Sequence, residues 1–252
     1  MIDLNGKVLL VTGGSRGIGA AIVRAAAAAG AEVVLHFAAS RGRAEALRAD
    51  IGSARCHLVQ ADLAEPGAAT RLWNDALGQV PRIDVLVNNA GVFQGVCVDD
   101  PLDAWRETWQ RVMQINLLAT ADLCREAINS FRDQGGGKII NIASRAAFRG
   151  EVPEQMPYGA SKGALITLTK TIARGFAKDG VLAFAIAPGF TETEMVSENV
   201  DPETLRGIVA DIPLGEIAKP EEIGALVAFL ASDYARHLTG ATFDVNGASY
   251  VR

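Results

Sequence analysis

The 252 residues hold no basic tail and no basic patch, with 24 Lys and Arg standing against 29 Asp and Glu. A chain of net charge −5 lacks the electrostatic footprint of a nucleic-acid binder. Cysteine is scarce: Cys56, Cys97 and Cys124 form no CxxC and cannot all pair with one another. Reduced thiols in an intracellular protein are the plain expectation. The three histidines, His36, His57 and His237, have no ligand spacing, and no HExxH occurs, so no metal site is expected. Long apolar runs are missing too. The most apolar helical stretch, around 22–29, is far shorter than a membrane span. The opening MIDLNGK enters a strand with no signal peptide before it, and a cytoplasmic protein without membrane contact is expected.

What is present is an alternation. With 49% hydrophobic and 21% charged residues the chain can bury one large core, and a disordered reading is excluded. Short apolar runs at 8–11, 32–37, 56–60, 85–87, 138–143, 181–187 and 242–245 have strand length. Helical stretches separate them at 18–29, 41–50, 68–78, 102–131, 158–178 and 221–231, the fourth with a break expected near Thr108. Residues 191–219 read as an irregular lobe or lid over a substrate. No Pro/Ser-rich linker and no repeat interrupts this order. The expected fold is an α/β single domain of Rossmann type, a doubly wound sheet of about seven parallel strands with helices on both faces.

Thr12-Gly13-Gly14-Ser15-Arg16-Gly17-Ile18-Gly19 follows the first strand and opens a helix. Tight turning and close approach of a phosphate both need a missing Cβ. The free N–H groups of the helix start suit a pyrophosphate. The spacing is GxxxGxG, not GxGxxG and not a P-loop, and a purely structural turn is the alternative. The second strand ends His36-Phe37-Ala38-Ala39-Ser40-Arg41, with no acid to hold the two ribose hydroxyls of an NAD(H). Arg16, Ser40 and Arg41 can hold a 2′-phosphate by charge-assisted bonds. NADP(H) is therefore expected over NAD(H), unless both arginines are solvated surface charges. His36 can touch adenine or phosphate, or is a plain strand residue. Asp62, past the third strand, can accept an adenine amino group.

Tyr158 and Lys162 stand four apart and share a helix face. Ser144 ends a strand, where open α/β sheets place ligands. Asn116 interrupts an apolar helical stretch, an uneasy place for Asn. Each has a dull reading: a surface pair, a cap, a self-bonded amide. Together they propose carbonyl chemistry. A phenol near pKa 10 needs a nearby ammonium to exchange protons at neutral pH. Ser144 can bond the substrate oxygen. Asn116 can bend its helix and hold a water that relays protons to Lys162.

The set Thr12 to Gly19, Asn88-Asn89-Ala90-Gly91, Asn116, Ser144, Tyr158-Gly159-Ala160-Ser161-Lys162 and Pro188-Gly189 resembles the short-chain dehydrogenase/reductase family, over essentially the whole chain. The resemblance implies a catalytic tetrad of Asn116, Ser144, Tyr158 and Lys162. It implies cofactor contacts from Gly13, Ser15, Arg16, Gly17, Ile18, Gly19, Phe37, Ser40, Asp62, Leu63, Asn89, Ala90, Gly91, Tyr158, Lys162, Pro188, Gly189, Thr191 and Thr193. Three departures stand out: an extra residue near 151–156, Ala143 in place of a second serine, and Val245-Asn246-Gly247-Ala248 near the end. The chain is similar to 3-oxoacyl-(acyl-carrier-protein) reductases and to reductases of sugars, polyols, steroids and small ketones. A carrier-protein partner would dock on basic residues, and Arg132, Arg145 and Arg149 are available. The expected substrate is a small carbonyl or alcohol. Ala146, 152–156, Phe190 and 192–210, with Phe93, Phe148 and Met195, are expected to line its pocket. A homotetramer, or a dimer, is implied by the resemblance. A non-catalytic dinucleotide sensor or scaffold is the reading of another class.

Overall fold

Strand directions follow from the connections. Every consecutive pair of strands is joined by a helix or a longer crossover, so the strands run parallel. The computed structural model describes residues 2–194, 196 and 200–251. Its sheet has seven strands in the order β3-β2-β1-β4-β5-β6-β7. They are β1 Val8–Val11, β2 Glu32–Phe37, β3 Cys56–Gln60, β4 Val85–Asn88, β5 Gly137–Ile142, β6 Val181–Pro188 and β7 Thr242–Val245. All six pairings are parallel. The fold is the expected single-domain Rossmann-type sheet. Its order turns back on itself between β1 and β4, which opens a crevice at the carboxyl ends of those strands.

Alternation along the strands assigns the two faces. Leu9, Val11, Val33, Leu35, Val85 and Val87 face a core layer made with α1 (Gly17–Ala28), α2 (Arg41–Ile51) and α9 (Pro220–Ala231). Val8, Leu10, Val34 and Leu86 face the opposite layer, with α3 (Ala68–Leu77), α5 (Ala119–Asp133) and α7 (Met156–Phe176). The alanine run of α1 has a packing reason. A Cβ on Gly224 of α9 would stand 2.7 Å from the Ala21 carbonyl oxygen, so the two helices touch backbone to backbone. Lys138 of β5 is buried and donates to the carbonyls of Ala231 at 2.8 Å and Ser232 at 2.5 Å. It caps the C-terminus of α9 from inside the protein, satisfying carbonyls that the helix cannot.

The expected long helix at 102–131 is two helices around an irregular turn. α4 (Leu102–Met113) passes into a π-helical turn, Gln114–Leu118, and then α5. The break falls at Asn116, not near Thr108. Thr108 lies inside α4, whose ladder continues through it. Asn116 is fully buried and bonds outside its own helix, which rewards the wider winding.

Two short helices lie near the carboxyl end of the sheet, α6 (Ala146–Arg149) and α8 (Pro202–Ala210). The 151–156 stretch, where the resemblance implied an extra residue, holds a 3₁₀ turn, Pro153–Gln155, whose Glu154 carbonyl accepts from Val96 N–H at 2.9 Å. The 191–219 lobe is closed at its neck. Thr191 bridges Ala218, and the Ala218 N–H donates to Phe190 while its carbonyl accepts from Glu192. No helix among the described residues is long and apolar enough to cross a membrane.

Candidate active site

A cavity of about 420 Å³ opens over the carboxyl ends of β1, β4 and β5. Every catalytic and cofactor residue implied by the resemblance lines it except Asn116, whereas Arg41, Ala146, Phe148 and residues 152–156, also expected there, do not. Both the glycine turn and the Ser144–Tyr158–Lys162 group therefore face one space.

The glycine turn is built by β1 and β4 together. Thr12 Oγ1 accepts from the Asn89 and Ala90 N–H groups at 2.9 and 3.0 Å. Asn89 Nδ2 donates back to the Thr12 and Gly13 carbonyls at 2.9 and 3.1 Å. Gly13 has φ +64°, and a Cβ there would press on the Ala90 backbone at 3.0 Å. Gly19 is tighter still, since its Cβ would stand 2.1 Å from the Gly13 oxygen. The helix start of α1 is thus held with no side-chain cap and no acid in its first turn. That is an anion cradle, and it fits a dinucleotide pyrophosphate.

His36 completes this frame, and the sequence left its part undecided. It is buried in β2, with Nδ1 accepting from the Gly13 N–H at 3.1 Å and Nε2 donating to the Ala61 carbonyl at 3.0 Å. It ties β1, β2 and β3 together at the cavity floor as a neutral ring. Burial pushes its pKa down to about 4, against the pull of Ala61 and Asp62. The unfolded chain takes the proton near pH 6.5, so it holds more protons than the native state from there down to about 4. Stability is lost as pH falls through this window, by about 2 kcal/mol at pH 5. We expect His36→Gln to lack this loss. Urea unfolding at pH 7.5 and 5 measures it, and equal losses in the two proteins would refute it.

Arg16 and Ser40 line the adenosine end. Arg41 does not line it. It lies over the Phe37 ring at 5.4 Å and donates to Gln60 at 2.7 Å. Arg43, a cation the sequence did not single out, does not line it either but reaches it through Glu194, which does. Glu194, from the 191–219 lobe, pairs with both Arg43 and Arg16, the latter at 3.6 Å. Its carboxyl is held below the usual range first by the Arg43 hydrogen bond. Thr193 lies against the glycine turn, 3.2 Å from where a Gly17 Cβ would be.

The reacting end is formed by β5 and α7. Ser144 follows β5, and its Oγ accepts from the Ala146 N–H at 3.1 Å. The Tyr158 ring meets the Phe93 ring edge-on at 4.9 Å. Burial pushes the Tyr158 phenol above its usual value, while its bond with Ser144 pulls it down and Glu151 adds to the rise. Lys162 is buried below, its Nζ 5.7 Å from the Tyr158 ring centre and donating to the Ile142 carbonyl at 2.8 Å. Burial pushes its ammonium down to about 8. The protein alone therefore keeps the phenol protonated at neutral pH. An acid poised to give a proton fits this better than a standing phenolate.

Asn116 stands behind the wall. Its Oδ1 accepts from the Val92 N–H at 2.8 Å, and its Nδ2 donates to the Val92 carbonyl and Ser161 Oγ, each at 3.1 Å. The amide clamps the chain leaving Gly91. A Cβ on Gly91 would be 3.3 Å from Asn116 Oδ1 and 3.4 Å from Lys162 Nζ, so amide and ammonium flank one small space. Among the apolar residues expected at the substrate, Phe93 and Phe190 line the cavity. Phe148 instead stacks on Tyr250 at 5.9 Å. Met195 lies outside the described residues. Arg145, beside Ser144, is buried with its guanidinium 4.9 Å from the Phe190 ring.

Comparison with known proteins agrees with this geometry. The family model described as enoyl-(acyl carrier protein) reductase matches residues 13–248. A 3-oxoacyl-(acyl-carrier-protein) reductase of Synechocystis is 40% identical over 251 residues, 98% of each chain. The Pseudomonas aeruginosa RhlG/NADP active-site complex superposes with a TM-score of 0.89 at 30% identity, covering 99% of this chain and 98% of that one. A blue fluorescent protein from a metagenomic library, solved with NADPH, gives 0.88 at 36% identity, covering 99% and 100%.

Proposed function

The chain belongs to the short-chain dehydrogenase/reductase family of oxidoreductases, and from that premise we propose that it interconverts a small ketone and a secondary alcohol with NADP(H) as cofactor. The observation that carries the reading is the shared cavity, in which a glycine-built anion cradle and the Ser144–Tyr158–Lys162 group face each other. Gly13, Ser15, Gly17, Ile18 and Gly19 would hold the pyrophosphate. Asp62, Leu63, Asn89, Ala90 and Phe37 would flank the adenosine. Pro188, Gly189 and Thr191 would border the nicotinamide end, and Thr193, against Gly17, would lie at the pyrophosphate. The preference for NADP(H) is supported by the two solved relatives named with NADP or NADPH and by Arg16 and Ser40, which line the cavity, with Arg43 joined to it through Glu194.

When bound, a nicotinamide dinucleotide supplies or accepts the hydride. The chain's own residues handle the proton. Ser144 Oγ bonds the substrate oxygen and steadies the charge that develops on it. Tyr158 gives its proton to that oxygen in reduction and takes one back in oxidation. The phenolate left behind is stabilised by the Lys162 ammonium, still charged at pH 7 because its value lies near 8. Asn116 acts through the backbone it clamps, fixing Gly91 and Val92 beside Lys162. The 191–219 lobe is the lid over the substrate, and Glu194 ties it to the two arginines.

A carrier-protein substrate is the second reading, supported by the name of the Synechocystis relative. Against a basic docking face, Arg132 pairs with Asp179 at 3.1 Å, Arg149 with Asp211 at 3.6 Å, and Arg145 is buried. The protein works in the cytoplasm as a homotetramer in this reading, with no nucleic-acid or membrane partner. Exposed Leu102 and Leu118 on the α4 side offer part of a contact face.

The test is a panel of ketones and alcohols with NADPH and NADH, followed by the reduced-nicotinamide absorbance. Turnover with NADPH above NADH is expected, and no turnover with either ends the reading. Glu194→Gln supplies a finer check. The carboxylate competes with a 2′-phosphate for Arg16 and Arg43, so the variant should bind NADPH about two- to five-fold tighter and NADH as before. Unchanged NADPH binding in a fluorescence titration would remove the arginines from this role.

A further inference from the structure

Arg145 is a buried charge with nothing to do in the mechanism above. It directly follows Ser144, is 5% exposed, and lines the same cavity. Its Nη1 is buried with no hydrogen-bond partner, and no ion pair or side-chain hydrogen bond is made by its guanidinium among the described residues. Only its main chain is tied, the N–H donating to the Pro188 carbonyl at 2.9 Å. Its neighbour Arg149 is different, being paired with Asp211.

A guanidinium taken out of water and left without an ion pair is costly to the fold. Such groups persist where a partner arrives with a ligand. The cofactor's phosphates do not call for this one. The glycine turn and Arg16 follow β1, and Arg43 lies in α2 after β2, whereas Arg145 follows β5. Two strand spacings, roughly 10 Å, separate β1 from β5. Arg145 lies instead on the substrate side, stacked over Phe190 at 4.9 Å. The Phe190 ring holds the guanidinium carbon, and the fork's Nη1, without a hydrogen-bond partner of its own, is left for a two-pronged acceptor. Glu151 lines the same cavity, yet makes no ion pair with Arg145 among the described residues.

Resting on the oxidoreductase reading, we propose that Arg145 is a substrate-binding residue that takes a carboxylate, and that the substrate is a hydroxy or oxo acid whose carboxylate lies within a few carbons of the reacting carbon. The chain neighbours Ser144 and Arg145 then hold the two ends of one small molecule, the serine at the reacting oxygen and the arginine at the acid.

Matched pairs test this: 2-, 3- and 4-hydroxy acids against their methyl esters, with NADP⁺, in the unaltered protein and in Arg145→Met and Arg145→Lys. One acid should exceed its ester in kcat/KM by about 30-fold or more, and Arg145→Met should erase that ratio while keeping turnover of the ester. Arg145→Lys should restore only part of it, because an ammonium lacks the fork. A binding readout accompanies the rates. An alkanoate without the hydroxyl should raise the melting temperature of the NADP⁺-loaded protein, its uncharged amide should not, and Arg145→Met should abolish the difference. Esters turned over as well as or better than every acid would overturn the carboxylate assignment and leave the oxidoreductase reading standing. No turnover of acid or ester, by contrast, would overturn both.

Discussion

Tyr158→Phe loses turnover by about 10²- to 10⁴-fold while NADPH binds as before. The expected size is that of one general acid removed from an intact site. The substitution deletes a single oxygen. Phe93 still packs edge-on against the ring, and Lys162 keeps its bond to the Ile142 carbonyl. The cradle that would hold the phosphates lies on β1 and β4, with no contribution from Tyr158. Binding and chemistry therefore separate. Fluorescence titration with NADPH and steady-state rates on one substrate make the comparison. A phenylalanine variant with the parent rate would remove the proposed acid altogether. One that bound no cofactor would point to a structural role instead. The pH profile adds a sign. Lys162 loses its charge as pH rises through about 8, so the support for a phenolate fades above that pH and the rate of reduction falls with it.

Gly19→Ala is the second large effect, and it acts on binding. The added methyl would stand 2.1 Å from the Gly13 oxygen and 2.6 Å from Asn89 Nδ2. Neither neighbour can step aside cheaply. Gly13 is backbone, and the Asn89 amide is spent on the Thr12 and Gly13 carbonyls. The turn must open and α1 must shift, at a cost of about 1–3 kcal/mol in stability. The N–H groups of the helix start then no longer converge, and NADPH affinity should fall by tenfold or more. Thermal unfolding and the same titration read the two effects together. Unaltered affinity in Gly19→Ala would mean that the phosphates do not rest on this turn.

Much of this was open to reading from local pattern. The strand runs fell within a residue or two of their observed bounds, because a strand buried on both faces leaves a short apolar stretch between turn signals. The glycine spacing and the Tyr158–Lys162 interval are also local. Each is fixed by the geometry of one turn or one helix, and all of these residues do line the cavity. Asn116 was read as able to bend its helix, and a π-helical turn does lie there, whereas the separate break expected near Thr108 does not occur. Helix periodicity cannot say which carbonyl and N–H a buried amide will find, and Asn116 found Val92, 24 residues before it.

The sequence by itself determined the alternation of strands and helices, the phosphate turn and the residue types that can move a proton. Those follow from interactions between near neighbours, which composition and spacing record. Only the tertiary structure decided that His36 is a neutral tie between three strands at the floor of the cavity. It alone decided that Glu194 reaches back 151 residues to Arg43 and that Arg145 is buried beside Ser144 with no ion pair among the described residues. The reason is physical. Burial and pairing depend on which distant elements the sheet order brings to one end, and a side chain's charge has no cost until that order removes its water.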